Sequence, residues 1–331
     1  MTPLRFLVCR SRVAVIALAA VLLAGCGAVV TGTGPATQTA RLDDRAIVTA
    51  DGTVLPLTVW APPPGEKPRA VIVALHGFND YAHAFALPAR FWASRGIATY
   101  AYTQRGFGRQ SPTRLLWPGT RALVEDAAAA VRLVAARNPG VPLYLLGESM
   151  GAAVAINLMA GPDAPAVEGL ILVAPAVWGR ADIPFPGEWL LDGMAFAMPW
   201  NRINAPEGIQ VKPTDNAAIM RELRDDPNVA KETRVDALQG LVDLMDEAKR
   251  TTAAVRCPTL LLYGLDDQLV RFESVQAIAA ALRRATPDFR RVDYTRGYHM
   301  LMRDLRGPRA WRDIEAWVRD PRGPLPGDGL D

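Results

Sequence analysis

A mostly parallel α/β sheet, covered by helices on both faces and carrying one helical insertion, is the architecture this 331-residue chain predicts. Three observations carry that expectation. Short continuous apolar runs recur at 70–75 (AVIVAL), 97–102 (IATYAY), 143–146 (LYLL), 170–174 (LILVA) and 259–263 (TLLLY). Unbroken runs of that length suit strands buried on both faces. Helix-length stretches separate them, and strands alternating with helices indicate parallel pairing through crossover connections. The alternation breaks between about 178 and 252, which marks an insertion. Composition agrees: half the residues are hydrophobic and 21% are charged, which excludes intrinsic disorder and supplies a large core.

The chain begins with a basic stretch containing Arg5, Arg10 and Arg12, followed by the twelve-residue apolar run Val13–Ala24. Such a run is too short to span a bilayer, which takes about 20 residues. A basic start, an apolar middle and a small-residue exit describe a secretory signal peptide. The exit, Leu23-Ala24-Gly25-Cys26, resembles the bacterial lipoprotein signal, in which the cysteine is acylated and becomes the mature N-terminus. An ordinary signal peptide with an incidental cysteine is the alternative. The resemblance implies a signal over 1–25, a lipid on Cys26 and a membrane-held protein of the bacterial cell envelope. Gly27, where the inner-membrane retention signal usually has Asp, implies the outer membrane facing the periplasm. Residues 26–44, with the Gly/Thr-rich 30–39 segment, are expected to form a flexible tether.

The later elements follow in order. Apolar residues at 47–49 and 55–60 flank Asp51-Gly52, a hairpin signal, and Ala61-Pro62-Pro63-Pro64-Gly65 is a surface loop. Helical stretches are expected near 84–95, 120–137, 150–160, 273–283 and 309–319. The second stops at Asn138-Pro139-Gly140. The sheet is thus assigned to 45–177 and 253–320. The insertion over 178–252 holds Trp178, Trp189, Trp200 and helical stretches near 215–225 and 233–250. In the last of these Val235, Leu238, Leu241, Val242 and Met245 share one face. An insertion of this kind commonly forms a lid over the active site; a packed structural excursion is the alternative. Residues 321–331, rich in Pro, Gly and Asp, are expected to be a frayed tail.

Charge and cysteine content narrow the function. The formal charge is +3, from 37 basic and 34 acidic residues. Arg5, Arg10 and Arg12 account for all of it, so the chain from Cys26 onward is formally neutral. No basic patch argues for nucleic acid. Of three cysteines, only Cys257 remains after the signal and Cys26, so no intramolecular disulfide is expected. Without a CxxC pair, HExxH or a phosphate-cradling glycine loop, neither metal nor nucleotide cofactor is implied.

One motif carries chemistry. The 143–146 strand runs into Gly147-Glu148-Ser149-Met150-Gly151, and a helical stretch follows. This is a G-x-S-x-G nucleophile elbow in its strand–turn–helix setting. With five serines and 27 glycines in the chain, about 0.03 chance matches are expected, so coincidence is a weak explanation. A serine hydroxyl needs a base to take its proton. Of His76, His83 and His299, only His299 follows Ser149, as the order Ser, acid, His requires. The acid belongs after the 259–263 strand, where Asp266 and Asp267 stand side by side. Its task is to hold the histidine tautomer and stabilise the imidazolium. Oxyanion donors in such a sheet are the N–H after the nucleophile, Met150, and one from the loop after an earlier strand. Here that loop is His76-Gly77-Phe78-Asn79, which nominates Phe78. His76 reads as scaffolding for this hole, His83 as a surface or helix-start residue, and Arg105 as a structural loop arginine rather than an anion binder.

With these residues in place, the chain over about 45–320 resembles the α/β-hydrolases of the monoacylglycerol lipase and lysophospholipase group. The matching motifs are His76-Gly77-Phe78, the 103–111 loop, Gly147–Gly151, the Asp267 loop and Gly297–Met300, with 231–245 similar to the family's lid. Many hydrolases of this fold read G-x-x-D-x-x-V after the strand, which selects Asp267 over Asp266. Asn79 and Glu148 depart from the family, which often has glycine and histidine there. The resemblance implies the α/β-hydrolase fold and a carboxylic ester hydrolase acting on a small acyl ester, a lipid such as a monoacylglycerol or lysophospholipid. Rival readings are a peptidase or amidase, an acyltransferase on the same triad, and a non-catalytic envelope interaction protein.

Overall fold

The computed structural model describes residues 28–203 and 211–327. The expected signal peptide and Cys26 lie outside these residues. The strands are β1 (Arg41–Leu42), β2 (Ala46–Val48), β3 (Val54–Trp60), β4 (Ala70–Leu75), β5 (Ile97–Tyr102), β6 (Leu143–Glu148), β7 (Gly169–Val173), β8 (Arg202–Ile203), β9 (Thr233–Arg234), β10 (Thr259–Gly264) and β11 (Phe289–Tyr294). Nine of them form one sheet in the order β1-β2-β3-β5-β4-β6-β7-β10-β11. The three pairings that join β1, β2, β3 and β5 are antiparallel, and the rest, from β5 to β11, are parallel. The hairpin at Asp51-Gly52 forms as expected, with Ile47 opposite Leu55 and Gly52 in the left-handed region at φ 84°.

The unbroken apolar strands are explained by cover on both faces. In β4, Val71, Val73 and Leu75 enter one core with β6, while Ile72 and Ala74 enter the other. The first core is closed by α2 (Thr120–Arg137) and α3 (Met150–Ala160), and by α7 (Phe272–Ala285) through Val275, Ile278 and Leu282. The second is closed by α1 (Ala86–Ala93) through Trp92 and by α8 (Pro308–Arg319) through Ile314 and Trp317. Gly169 lets Trp317 lie on the sheet, since a Cβ there would meet its ring at 2.3 Å.

The insertion holds α4 (Gly187–Ala197), α5 (Ala217–Asp225), α6 (Val235–Thr251) and the β8–β9 ladder. Its long helix α6 has two apolar stripes rather than the single one expected. Ala237, Leu244 and Ala248 join the first core, and Gly240 sits where a Cβ would collide with Trp117 at 2.3 Å. The other stripe, Leu238, Leu241, Val242 and Met245, faces a cavity over Ser149. Arg180 fastens α4 to α6 through Asp192 at 2.7 Å and Asp243 at 2.6 Å.

Three sequence expectations change. The 26–44 segment is not a free tether in its described part. Val29 N–H donates to Asp236 at 3.2 Å, Thr31 N–H to Trp117 O at 3.0 Å, and Thr37 and Gln38 N–H groups to Ala50 O. Gly/Thr composition gave no sign of this because the donors named here are backbone N–H groups, which residues of any type supply. The 321–327 part of the tail does not fray: Leu325 is buried and Arg322 pairs with Asp288. Helix α4 is not expected from sequence, since the prolines flanking it, Pro184, Pro186 and Pro199, read as irregular and only Ala195 of its residues is buried.

Candidate active site

Ser149 occupies the junction between β6 and α3, at φ 54° and ψ −117°. This left-handed conformation is costly for a side-chain-bearing residue, on the order of 1–3 kcal/mol, and persists only where neighbours enforce it. Here they do. Ser149 N–H donates to Val173 O at 2.9 Å, and its carbonyl accepts from Ala152 at 3.0 Å and Ala176 at 3.1 Å. The flanking glycines are needed for close approach: a Cβ on Gly151 would lie 2.1 Å from Leu75 O, and one on Gly147 2.4 Å from Gly151 O.

His299 Nε2 lies 2.9 Å from Ser149 Oγ, and its Nδ1 lies 2.8 Å from Asp267 Oδ2. A carboxylate only accepts, so Nδ1 carries the proton and Nε2 is left to accept from the serine hydroxyl. The other Asp267 oxygen accepts from Leu269 N–H at 2.7 Å and Val270 N–H at 3.0 Å, which fixes the carboxylate. Asp266 is exposed, and the carboxylate that meets His299 is that of Asp267. The loop bearing His299 is braced by Asp304, which accepts from Tyr298 N–H at 2.7 Å and from Thr214 Oγ1 at 2.6 Å. Burial raises the Asp304 carboxyl to about 6.

The loop after β4 lies against the serine, with the Gly77 Cβ position 3.3 Å from Ser149 Cβ. Among the described residues no hydrogen bond takes up the N–H of Phe78 or of Met150. Met150 also opens α3, whose N-terminal dipole favours negative charge. Asn79 replaces the family's glycine at a left-handed position, φ 62°, which asparagine tolerates better than most residues. Its side chain also donates to Thr233 at 2.8 Å, tying this loop to the insertion.

The remaining histidines and Arg105 are structural, as read from sequence. His76 is fully buried; Gln104 N–H donates to its Nε2 at 2.9 Å, so its Nδ1–H donates to Gly77 O at 2.8 Å. Desolvation lowers its pKa to about 4, and it stays neutral. His83 pairs with Glu222 near the surface, and Arg105 is clamped between Asp51 and Asp126.

Sequence reasoning missed a buried charge cluster beside the serine. Arg303 pairs with Asp80 at 2.8 Å and faces Glu148 at 3.6 Å. The three lie far apart in sequence; Glu148 alone stands in a motif, at a variable position of the elbow, and its departure from the resemblance was the one available signal. A cavity of about 290 Å³ at Ser149 is lined by residues of this cluster together with Trp178 and the α6 stripe.

The sheet, elbow and hydrogen-bonded serine–histidine–aspartate chain define the class: an α/β-hydrolase. The chain belongs to the family described as Serine aminopeptidase, S33, whose profile matches residues 66–306. It is similar to a monoacylglycerol lipase of Mycolicibacterium smegmatis, 25% identical over 277 residues that cover 78% of this chain and 91% of that protein. It is also similar to phospholipase YtpA of Bacillus subtilis, 24% identical over 206 residues, 62% of this chain and 78% of that protein. In fold it resembles a soluble variant of monoglyceride lipase from Saccharomyces cerevisiae in complex with a substrate analog. That likeness has a TM-score of 0.68 at 18% identity, covering 88% of this chain and 99% of that one.

Proposed function

We propose that this carboxylic ester hydrolase cleaves lipid acyl esters, of monoacylglycerol or lysophospholipid type, through Ser149, His299 and Asp267. The observation that carries the reading is the cavity. Ser149 lines it, and the insertion contributes Trp178, Leu238, Leu241, Val242 and Met245, a surface suited to an acyl chain. The names of the monoacylglycerol lipase and phospholipase relatives support the same substrate class.

In the proposed reaction His299 Nε2 takes the Ser149 proton as Oγ attacks the ester carbonyl. Phe78 and Met150 N–H groups hold the oxyanion, a contribution typically worth about 10²–10³ in rate per donor. Asp267 keeps the imidazole oriented and stabilises its charge. The proton then passes from His299 to the departing alcohol oxygen as the acyl-enzyme forms. Water, deprotonated by the same histidine, attacks the acyl carbonyl, releases the fatty acid and restores Ser149.

The envelope location belongs to this proposal as well. Acylated Cys26 would hold the enzyme at a bilayer, and the exposed aromatic face of α4 supports a lipid-facing orientation: Trp189 is 74% exposed, with Phe185 and Phe196 beside it in the same segment. Mass spectrometry of the mature N-terminus is expected to find an acylated Cys26; an unmodified residue further along overturns the anchor.

The test of function is an ester panel that varies chain length and head group, with Ser149→Ala as control. Hydrolysis together with fluorophosphonate labelling, both lost in Ser149→Ala, is expected. Absence of both in the wild-type protein refutes the enzymatic reading. The family description also names an aminopeptidase, so a matched aminoacyl amide belongs in the panel. Faster cleavage of the amide than of its ester would replace the lipid reading with that one.

A further inference from the structure

The residues on either side of His299 are both tied to the stretch of the insertion that leads into α5. On one side Met300 N–H donates to Pro213 O at 2.8 Å. On the other, Tyr298 N–H donates to Asp304 Oδ2 at 2.7 Å, and Asp304 Oδ1 accepts from Thr214 Oγ1 at 2.6 Å. Asp215 N–H is a third donor to the same carboxyl. The stretch also reaches the loop of the acid, where Lys212 N–H donates to Gln268 Oε1 at 2.9 Å.

Asp304 is the link that chemistry can switch. Its side chain is buried, as is that of Thr214. Arg303, its neighbour in the chain, is committed to Asp80 at 2.8 Å, while Asp215 and Glu148 add negative charge nearby. Burial favours the neutral form and raises the pKa to about 6; the donors of Thr214, Tyr298 and Asp215 oppose it. A carboxylate only accepts, so it can serve all three donors, whereas an amide of the same shape replaces one acceptor with a donor.

We propose that ionised Asp304 is a positioning residue for the reaction: it locks the His299 loop to Thr214 of the insertion and so sets the imidazole between Ser149 and Asp267. This role rests on the Ser149–His299–Asp267 reading above and deepens it. Misplacing a reacting group by an ångström can cost about 10²-fold in rate. Hydrogen bonds to an ionised acceptor are about twice as strong as neutral ones, so a proton on Asp304 slackens the lock without abolishing it. The lock is closed above about pH 6 and loosens as pH falls through that value.

The test measures kcat/KM on one short-chain ester between about pH 5 and 8, for the purified full chain and two variants. Asp304→Asn keeps the size of the side chain. Its kcat/KM should lie about tenfold below the wild type at about pH 8, through kcat, and within about twofold of it at about pH 5. The ratio at each pH removes the titration of His299 common to both proteins. Thr214→Val deletes a donor that favours the ionised form, so the acid limb of its profile should move up by about one pH unit. A ratio near one at the alkaline end overturns the proposal. So does a loss of the same size at every pH, which is what a merely structural residue would give. Circular dichroism on heating identifies a variant that does not fold. If Asp304→Asn is one, Thr214→Val decides, and an unmoved acid limb overturns the proposal. If both are, the wild type decides: its log kcat/KM must fall on the acid side more steeply than a single proton allows, and a one-proton slope overturns the proposal. A wild type that hydrolyses no ester refutes the parent reading and takes this role down with it.

Discussion

In α3, ten of eleven side chains are buried; in α4, a helix of the same length, only Ala195 is. Both helices are rich in apolar residues. The hydrophobicity of α3 is accounted for by folding, because it fills the core behind the nucleophile. That of α4 is not, since Phe185, Trp189, Leu190, Phe196, Met198 and Trp200 in and around it remain exposed. Large apolar patches on a protein surface mark contact with something apolar outside it. The comparison therefore separates residues that set catalytic geometry from residues that meet the surroundings, and it can be broken at either end.

The largest effect is expected at the relay itself. Asp267→Asn keeps the shape of the site but allows the wrong imidazole tautomer, and kcat on a short-chain ester should fall about 10³–10⁴-fold. A loss under tenfold, with Asp266→Asn more damaging, would move the acid to its neighbour.

A smaller effect belongs to the buried His76 in the loop after β4. The folded state depresses His76 from an ordinary 6.5 to about 4. The unfolded chain thus binds the proton first as pH falls. The stability due to neutral His76 is complete above about pH 6.5 and lost between there and about pH 4, on the order of 3 kcal/mol in all. NMR titration of the histidine rings checks this directly. A His76 signal that titrates near 6.5 would show that water reaches it.

The smallest effect on folding, and the sharpest contrast, is expected in α4. Trp189→Ser combined with Leu190→Ser should change the unfolding free energy by less than about 1 kcal/mol, since neither side chain is buried. Flotation with lipid vesicles should nonetheless show binding reduced about tenfold. Unaltered flotation would free α4 from any lipid role.

The division between these regions also explains what could be read in advance. Strands such as Ala70–Leu75 and the elbow around Ser149 were legible because burial on two faces and a tight turn each leave a local pattern. His299 followed from the scarcity of histidine, and Asp267 from a spacing that resemblance supplied. What escaped notice is carried by long-range pairing: Arg303 meeting Asp80 across more than 200 residues leaves no periodicity to find. Helix α4 escaped for the opposite reason, because exposure gives its apolar residues no inward face to repeat. Asn79 looked like a weakness of the resemblance. In the fold it is a left-handed residue whose side chain reaches Thr233, a task glycine could not perform.

The hydrogen bond from Val29 to Asp236 at the start of α6 sets a leash length. Only Gly27 and Ala28 separate Val29 from Cys26, the proposed lipid attachment, and those three residue steps of extended chain reach about 10 Å. An enzyme so attached has almost no freedom to roam above its membrane. With such an anchor, the insertion that lines its cavity would moor the enzyme within about 10 Å of the bilayer. Substrate would then be drawn sideways out of the bilayer, and lengthening the 26–29 segment would tune access to it without touching a single catalytic atom.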